Sequence, residues 1–405
     1  MRAVFTPSRA RGSIEAPPSK SMGHRLLICA GLSDGESRIR GIVPSQDMLA
    51  TLDCLTALGA HYTWQQDVIT ICGAEPYDAP AFTALPCRES GSTLRFFTPL
   101  CLLSGRDMVL TGSRKLLSRP QSVYETLCRE RGLLFDRGPD VLRVRGPLQP
   151  GEFRVAGNVS SQFISGLLFT LPLLEDHSTL RLIPPVESRP YIDMTLEALR
   201  AFRIKIQQPD ALTFEIPGWQ QYQPCDTTVE GDCSNAAFFD ALSIPALGGE
   251  VTVTGLREDT LQGDRVYREQ LAALAAGCPE IDLSDCPDLG PILMACAAAG
   301  QGAVFTGTRR LKDKESDRGS AMAAELRKLG VSLTLEENRI IVPGGCLQAP
   351  TEPIDGHNDH RIVMAMATLL TKTGGEILGA QAVEKSLPDY FERLRKLGIR
   401  VATDN

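Results

Sequence analysis

The chain has 405 residues, 43% hydrophobic and 22% charged, which is the balance of a globular enzyme too long for one ordinary core. A formal net charge of −7 argues against general nucleic-acid binding, so any anion site must be a local concentration of Lys and Arg. The longest apolar runs, such as GLLFTLPLL, fall short of a membrane span, and MRAVFTPSRARGSIEAPPSK lacks the apolar core of a signal peptide. A cytoplasmic protein is expected. The 12 Cys include no C-x-x-C pair, and they read as small buried residues rather than a disulfide framework or zinc site.

Along the chain, short polar clusters run into apolar stretches of helix length. They begin near Lys20, Ser90, Val159, Cys233, Pro287 and Asp359, at intervals of about 70 residues except for a fourth of about 54. A second helical series starts near Asp47, Gln121, Tyr191, Asp264, Asp317 and Asp389, and four of its members close on Gly. Between the two lie β-type runs such as SRIRGIV, DMVLTGS and TLRLIPP. After the second come alternating pairs around a polar turn, such as LLFDRGPDVLRVRG, which is a hairpin pattern. One helix–strand–helix–hairpin unit is therefore used six times, with the fourth hairpin reduced to CPEIDLSDC. Six units divide into two domains of three. The expected first domain is 17–228, and the second joins 1–16 to 229–405, with the break in the polar stretch GWQQYQPCDTT. The opening strand MRAVFTPS is free to pair with the last domain. Two crossings of this kind suit a hinge that closes on a substrate.

Helix N-termini carry unpaired N–H groups and partial positive charge, so they attract anions and repel cations. Yet Lys20, Arg25, Arg119, Arg318 and Arg361 all fall at or within about two turns of a helix start. Taken singly, Ser and Asp are ordinary caps, and Lys or Arg ordinarily covers a solvated face. Taken together, the cations imply a ligand with at least two anionic groups. Ser21, Ser160, Ser161, Gln162, Ser188, Tyr191, Lys314 and Lys385 stand in the same clusters. Two carboxylates lie among the cations, Asp288 in CPDLGPI and Glu315 in KDKESDR, and they form a candidate acid–base pair. For Asp288 a simple N-cap is the competing reading. No G-x-x-x-x-G-K-[ST] or G-x-G-x-x-G is present, and no His spacing suits a metal. Gly31-Leu32-Ser33-Asp34-Gly35 matches G-x-S-x-G only formally, because the segment before it is helical.

The ordered set PPSKSMGHR, ESGSTLRF, SSQF, SRPYIDMTLEAL, EGDCSNAAFF, KESDR, NDHRIVMA and EKSLPDYF resembles the EPSP synthase (3-phosphoshikimate 1-carboxyvinyltransferase) family over nearly the whole chain. The resemblance implies a two-domain inside-out α/β barrel of six βαβαββ-type repeats, with the active site in the interdomain cleft. It also implies transfer of the enolpyruvyl group of phosphoenolpyruvate to the 5-hydroxyl of shikimate 3-phosphate, by a monomer without metal or cofactor. By similarity, Lys20, Ser21, Arg25, Ser160, Ser161, Gln162, Ser188, Tyr191, Asp288 and Lys314 would hold shikimate 3-phosphate. Lys20, Gly91, Arg119, Gln162, Arg318, Arg361 and Lys385 would hold phosphoenolpyruvate. Asp288 would act as general base and Glu315 as proton donor, with Lys20 and Lys385 assisting.

The chain departs from the commoner pattern at Arg88 and Glu89, where Gly-Asn is usual, at Arg310 in place of Asn, and at Leu387 in place of Phe. A related transferase acting on UDP-N-acetylglucosamine is the nearest alternative. It carries a Cys in the loop that here reads TGSRKLLSRP, without one. A non-catalytic homologue would be expected to lose Asp288, Glu315 or Lys20, and all three are present. Glyphosate, which resembles the donor, is an expected inhibitor.

Overall fold

A computed structural model describes residues 1–404. They fall into two compact units, one of residues 20–230 and one joining 1–19 to the residues from 231 onward. No helix is long and apolar enough to cross a membrane among the described residues.

In the unit of residues 20–230, the helices Lys20–Gly31, Gly91–Cys101 and Ser161–Thr170 form the centre. Nearly every residue of all three is buried, because Leu, Ile, Phe, Ala and Cys occupy every face rather than one stripe. The exceptions sit at the N-terminal ends, where Ser92 and Gln162 meet in a 2.8 Å hydrogen bond. Close approach is secured by small residues: a Cβ on Gly31 would lie 2.3 Å from Leu55, and one on Gly166 2.2 Å from the Tyr124 hydroxyl. The second-series helices Gln46–Ala57, Ser122–Glu130 and Arg189–Ala201 bury one face only.

Three four-stranded sheets flank this centre with one topology. In the middle one, Ala84–Pro86 runs parallel to Met108–Thr111, which pairs antiparallel with Val141–Arg145 and then Leu134–Arg137. Glu152–Ala156, Ser178–Ile183, Thr213–Ile216 and Gln207–Asp210 repeat that order. In the first sheet the parallel edge comes from the far end of the unit, as Thr227–Thr228 pairs with Ile39 and Arg40. The polar stretch GWQQYQPCDTT therefore lies within this unit, not beyond it. Tyr222 is fully buried there, and its hydroxyl donates to the Phe169 carbonyl at 2.7 Å.

The second unit has the same plan around the buried helices Cys233–Asp240, Gly290–Ala299 and His360–Thr373. Its last sheet recruits the N-terminal strand Arg2–Thr6, which lies antiparallel between Gly375–Leu378 and Arg400–Asp404. One sheet has only two strands, Arg11–Glu15 and Glu250–Thr254. The fourth hairpin is thus absent rather than reduced: Glu280–Asp282, inside CPEIDLSDC, pairs parallel with Gly302–Thr306 and opens the next sheet. All 12 cysteines are free.

Candidate active site

In the unit joining 1–19 to the residues from 231 onward, four chain segments deliver charge to one place. The helix Arg318–Lys328 begins with Arg318, which Asp317 precedes as N-cap by accepting from Ser320 N. The helix His360–Thr373 begins one residue after its N-cap Asp359, which accepts from Arg361 N at 3.0 Å. Asp288 sits in the single 3-10 turn Pro287–Leu289 ahead of the helix Gly290–Ala299, and its side chain caps neither element. The capping alternative for Asp288 is therefore not what the structure adopts. Lys314 and Glu315 follow the 3-10 turn Arg309–Asp313.

Arg318 is the hub, with a side chain only 1% exposed. Its Nε donates to Asp359 Oδ2 at 3.0 Å, Nη1 to Asp288 Oδ1 at 2.8 Å, and Nη2 to Glu315 Oε2 at 2.7 Å. Arg361 donates from Nη2 to Asp288 Oδ2 at 3.1 Å, and from Nη1 to Ser234 Oγ at 2.6 Å and the Asp288 carbonyl at 3.1 Å. Lys314 Nζ stands 3.2 Å from Asp288 Oδ1. Lys385, at the end of the turn Ala380–Lys385, donates to the Asn358 carbonyl at 2.5 Å, just before the same helix start. Asp359 is wholly buried and also accepts from the Ser316 hydroxyl at 3.0 Å.

These contacts set the proton affinities. Burial alone would raise the Asp288 carboxyl, but Arg361, Lys314 and Arg318 together hold it well below the usual carboxylate range. Lys314 is pushed down to about 8, chiefly by burial, with Asp288 opposing the fall and Arg318 and Arg310 adding to it. Burial opposes the charge on Arg318, yet Asp359, Glu315 and Asp288 hold its guanidinium above the ordinary arginine value. Three carboxylates of different environment thus share one guanidinium, with a lysine beside them that can lose its proton in the weakly alkaline range.

In the unit of residues 20–230 a second group forms at the N-terminal ends of the central helices. Lys20 Nζ is 2.8 Å from Asp47 Oδ2. Arg25, buried against the Phe96 ring, donates to Thr195 Oγ1 at 2.9 Å, to the Ser21 carbonyl at 2.6 Å and to the Tyr191 carbonyl at 2.9 Å. Burial pushes it down to about 10, and Tyr191 and Cys29 oppose that fall. Ser160 caps the helix that starts at Ser161 by accepting from Gln162 N. Gln162 is fixed at both ends of its amide, accepting from Arg95 Nη1 at 2.7 Å and donating to Ser92 Oγ. Ser188 takes a left-handed backbone at the start of the helix Arg189–Ala201 and is buried. Arg119 closes the short helix Arg114–Ser118, and its guanidinium lies against Gly91, where a Cβ would stand 2.6 Å from Nη1.

The structure therefore gathers Asp288, Lys314, Glu315, Arg318, Arg361 and Lys385 in one unit, and Lys20, Ser21, Arg25, Gly91, Arg119, Ser160, Ser161, Gln162, Ser188 and Tyr191 in the other. Sequence reasoning missed several supporting residues. Asp47 reads only as a helix start, yet it is the partner of Lys20. Arg95 holds Gln162 and, at 3.1 Å, the Pro120 carbonyl next to Arg119. Its signal was a lone Arg inside the otherwise apolar helix Gly91–Cys101. Arg88 is turned to Asp53, at 2.7 Å from Nη2, and to Gln46, at 2.6 Å from Nη1.

Residues 4–394 match the family model described as EPSP synthase (3-phosphoshikimate 1-carboxyvinyltransferase). A protein of Clostridium perfringens (strain 13 / Type A) named 3-phosphoshikimate 1-carboxyvinyltransferase is 37% identical over 98% of each chain. Among solved structures, EPSP synthase from Acinetobacter baumannii superposes with a TM-score of 0.79 at 23% identity, over 99% of this chain and 100% of that one. The enolpyruvyl transferase NikO from Streptomyces tendae gives 0.78 at 15% identity, over 99% and 98%. Those two share the two-domain inside-out α/β barrel with this chain, and a fold common to both names does not by itself choose the acceptor.

Proposed function

The chain belongs to the EPSP synthase family, the 3-phosphoshikimate 1-carboxyvinyltransferases, and from that premise we propose how its residues divide the reaction. The enzyme moves the enolpyruvyl group of phosphoenolpyruvate to the 5-hydroxyl of shikimate 3-phosphate and releases phosphate, a step of the shikimate route to aromatic amino acids. Its acceptor is shikimate 3-phosphate rather than UDP-N-acetylglucosamine, as the family match and the curated relatives favour. We take it to act in the cytoplasm as a single chain.

The observation that carries the residue assignment is the shared guanidinium: Arg318 binds both Asp288 and Glu315, and Arg361 and Lys314 complete the set around Asp288. In our reading the carboxylates occupy, at rest, cations that the donor's phosphate and carboxylate take over on binding. Arg318, Arg361, Lys385, Arg119 and Lys20 grip the donor, with the Gly91 backbone closing against it. Lys20, Ser21, Arg25, Ser160, Ser161, Ser188, Tyr191 and Lys314 hold the acceptor, and Gln162 packs on its ring and reaches the donor. When the donor draws Arg318 and Arg361 away, Asp288 loses the cations that depress it and becomes a stronger base.

Glu315 gives a proton to C3 of phosphoenolpyruvate, leaving positive charge at C2. The 5-hydroxyl oxygen attacks C2 as its proton passes to Asp288, giving a tetrahedral ketal. The bond from C2 to the phosphate oxygen breaks as C3 returns a proton to the Glu315 carboxylate, regenerating the vinyl group, and the proton held by Asp288 passes to the departing phosphate. The cations neutralise phosphate as it leaves, where preorganised charge is worth several kcal/mol. A phosphate-release assay tests the reading: phosphate should appear with phosphoenolpyruvate and shikimate 3-phosphate together, and not when UDP-N-acetylglucosamine replaces the latter. Release supported by the nucleotide sugar would assign the enzyme to another acceptor.

A further inference from the structure

The chain enters the helix His360–Thr373 through residues 355–358, and this approach carries two groups that hold cations assigned above to the donor. The Asn358 carbonyl accepts from Lys385 Nζ, and Asp359, the next residue, accepts from Arg318 Nε at 3.0 Å. The shape of the loop is intrinsically unfavourable, since His357 and Asn358 both have left-handed backbones, φ +49° and +50°. Backbone bonds fix its flanks, from Gly356 N to the Leu378 carbonyl at 2.8 Å and from Asp359 N to the Gly356 carbonyl at 2.9 Å. A Cβ on Gly356 would stand 2.7 Å from Val363 Cγ2, so the loop lies close against the helix it precedes.

A buried carboxylate braces the left-handed pair. Glu325 has a side chain only 2% exposed and lies two turns along the helix that begins at Arg318, roughly 10 Å away at ~1.5 Å per residue. Its Oε2 accepts from Asp355 N at 2.9 Å and lies 2.8 Å from Lys328 Nζ, while its Oε1 lies 2.8 Å from His357 Nε2. Asp355 Oδ1 accepts from His357 N at 2.7 Å, and Lys328 Nζ donates to the Pro353 carbonyl at 2.9 Å. One helix therefore grips the same stretch of chain twice, through Arg318 at Asp359 and through Glu325 at Asp355 and His357.

Glu325 and Lys328 face the imidazole from this helix, and Asp355 faces it from the loop. Burial alone would raise the Glu325 carboxyl, but hydrogen bonds from His357, Lys328 and Asp355 N hold it below the usual carboxylate range. The bond to Glu325 holds His357 above the ordinary histidine value, against the opposing effects of burial and Lys328. An ionised Glu325 can only accept, so Nε2 carries a proton in both charge states of the ring. Loss of the Nδ1 proton keeps the bond and removes its charge assistance. The charged pair is complete below the ordinary histidine value and is lost as pH rises through the raised one.

We infer that Glu325 and His357 are positioning residues for donor binding: their bond sets the loop so that Asn358 and Asp359 hold Lys385 and Arg318 where phosphoenolpyruvate meets them. The inference rests on the assignment of those two cations to the donor.

Glu325→Gln keeps the size of the side chain and its contact with Asp355 N, and it sets an amide N–H opposite the imidazole, which then bonds only as the neutral ring. His357→Asn removes the ring and keeps a residue that tolerates the left-handed backbone. Both variants should raise the phosphoenolpyruvate KM about fivefold near pH 6, with kcat and the shikimate 3-phosphate KM within about twofold of native. For His357→Asn, the ratio of variant to native KM should shrink by about half between roughly pH 6 and pH 9, as the native ring loses its charge. In proton NMR, the imidazole signal missing from His357→Asn should titrate above the ordinary histidine value in the native enzyme and at lower pH in Glu325→Gln. An unaltered donor KM in both variants, or a KM ratio independent of pH, would overturn the inference. So would equal rises in both substrates' KM with a lowered melting temperature, which would make the pair merely structural. Lys385→Ala separates this inference from its premise. An unaltered donor KM there would overturn the donor assignment and this inference with it, whereas a raised one beside native values in the other two variants would overturn this inference alone.

Discussion

Replacing Asp288 by Asn keeps the shape of the proposed base and removes its charge. In the native cage Oδ1 takes Arg318 Nη1 at 2.8 Å and Lys314 Nζ at 3.2 Å, while Oδ2 takes Arg361 Nη2 at 3.1 Å. An amide carbonyl in the Oδ1 place keeps the first two contacts, but the amide nitrogen then faces Arg361 donor to donor. Glu315 and Asp359 are left to balance three cations. Breaking a fully buried pair costs about 3–5 kcal/mol. The Asp288 side chain is 20% exposed, so water screens part of that, and ~1–3 kcal/mol is expected.

The kinetic effect should be larger. Loss of a positioned general base lowers turnover by roughly 10²–10⁴, or about 3–5 kcal/mol of barrier. Shikimate 3-phosphate should still bind, and phosphoenolpyruvate should bind as well as before or better, because Arg318 and Arg361 lose a competitor. Saturating phosphate-release rates, isothermal titration with each substrate and a thermal melt measure the three quantities separately. Turnover within a factor of ten of the native enzyme would remove Asp288 from the base role. Loss of both binding and fold would make it structural.

Other outcomes follow from the same contacts. Gly91→Ala places a methyl carbon 2.6 Å from Arg119 Nη1, so the guanidinium must retreat by several tenths of an ångström. Glyphosate inhibition constants should rise at least tenfold, and equal constants for the two enzymes would refute this reading of the loop. Lys314 is protonated below its value of about 8 and loses its charge above it, so kcat/KM for shikimate 3-phosphate should fall as pH rises through about 8. Lys314→Arg should move that limb to higher pH, and an unchanged profile would assign it elsewhere. Asp288, held well below the usual carboxylate range, stays ionised in the free enzyme across neutral pH and should contribute no limb there. Arg88→Gly relieves a left-handed backbone but forfeits the half-exposed pair with Asp53, so stability should change by no more than about 1 kcal/mol. The phosphoenolpyruvate KM should rise, because the loop carrying Gly91 loses its tie to the helix Gln46–Ala57. An unaltered KM would make the Arg88 pair decorative.

The helix starts were readable because local chemistry marks them: Ser90, Ser160, Asp317 and Asp359 each cap the helix that their cluster announces. The strand order was not readable at the seams. No local pattern says that Thr227–Thr228 completes the first sheet, or that Arg2–Thr6 takes an inner place beside Gly375–Leu378, since those pairings join distant segments. The missing hairpin was legible as a short interval, but not the reuse of Glu280–Asp282 in the next sheet.

At the site, residue types at helix starts marked the cations, and the resemblance supplied their roles. What stayed hidden was the partner set. Asp359 reads as a cap yet also holds Arg318 and Ser316, and Arg95 reads as an anomaly in an apolar helix yet fixes Gln162. Long side chains choose partners through three-dimensional proximity, which spacing along the chain does not encode. Arg88 illustrates the point, because its carboxylate is Asp53 on a preceding helix.

The central claim, that Glu315 protonates the donor before the ketal forms, is tested most directly by running the reaction in D₂O and measuring deuterium in the vinyl methylene of the product. Deuterium should enter that group, and Glu315→Gln should abolish its entry while both substrates still bind. A product formed without deuterium, or wash-in undiminished in the variant, would contradict the mechanism.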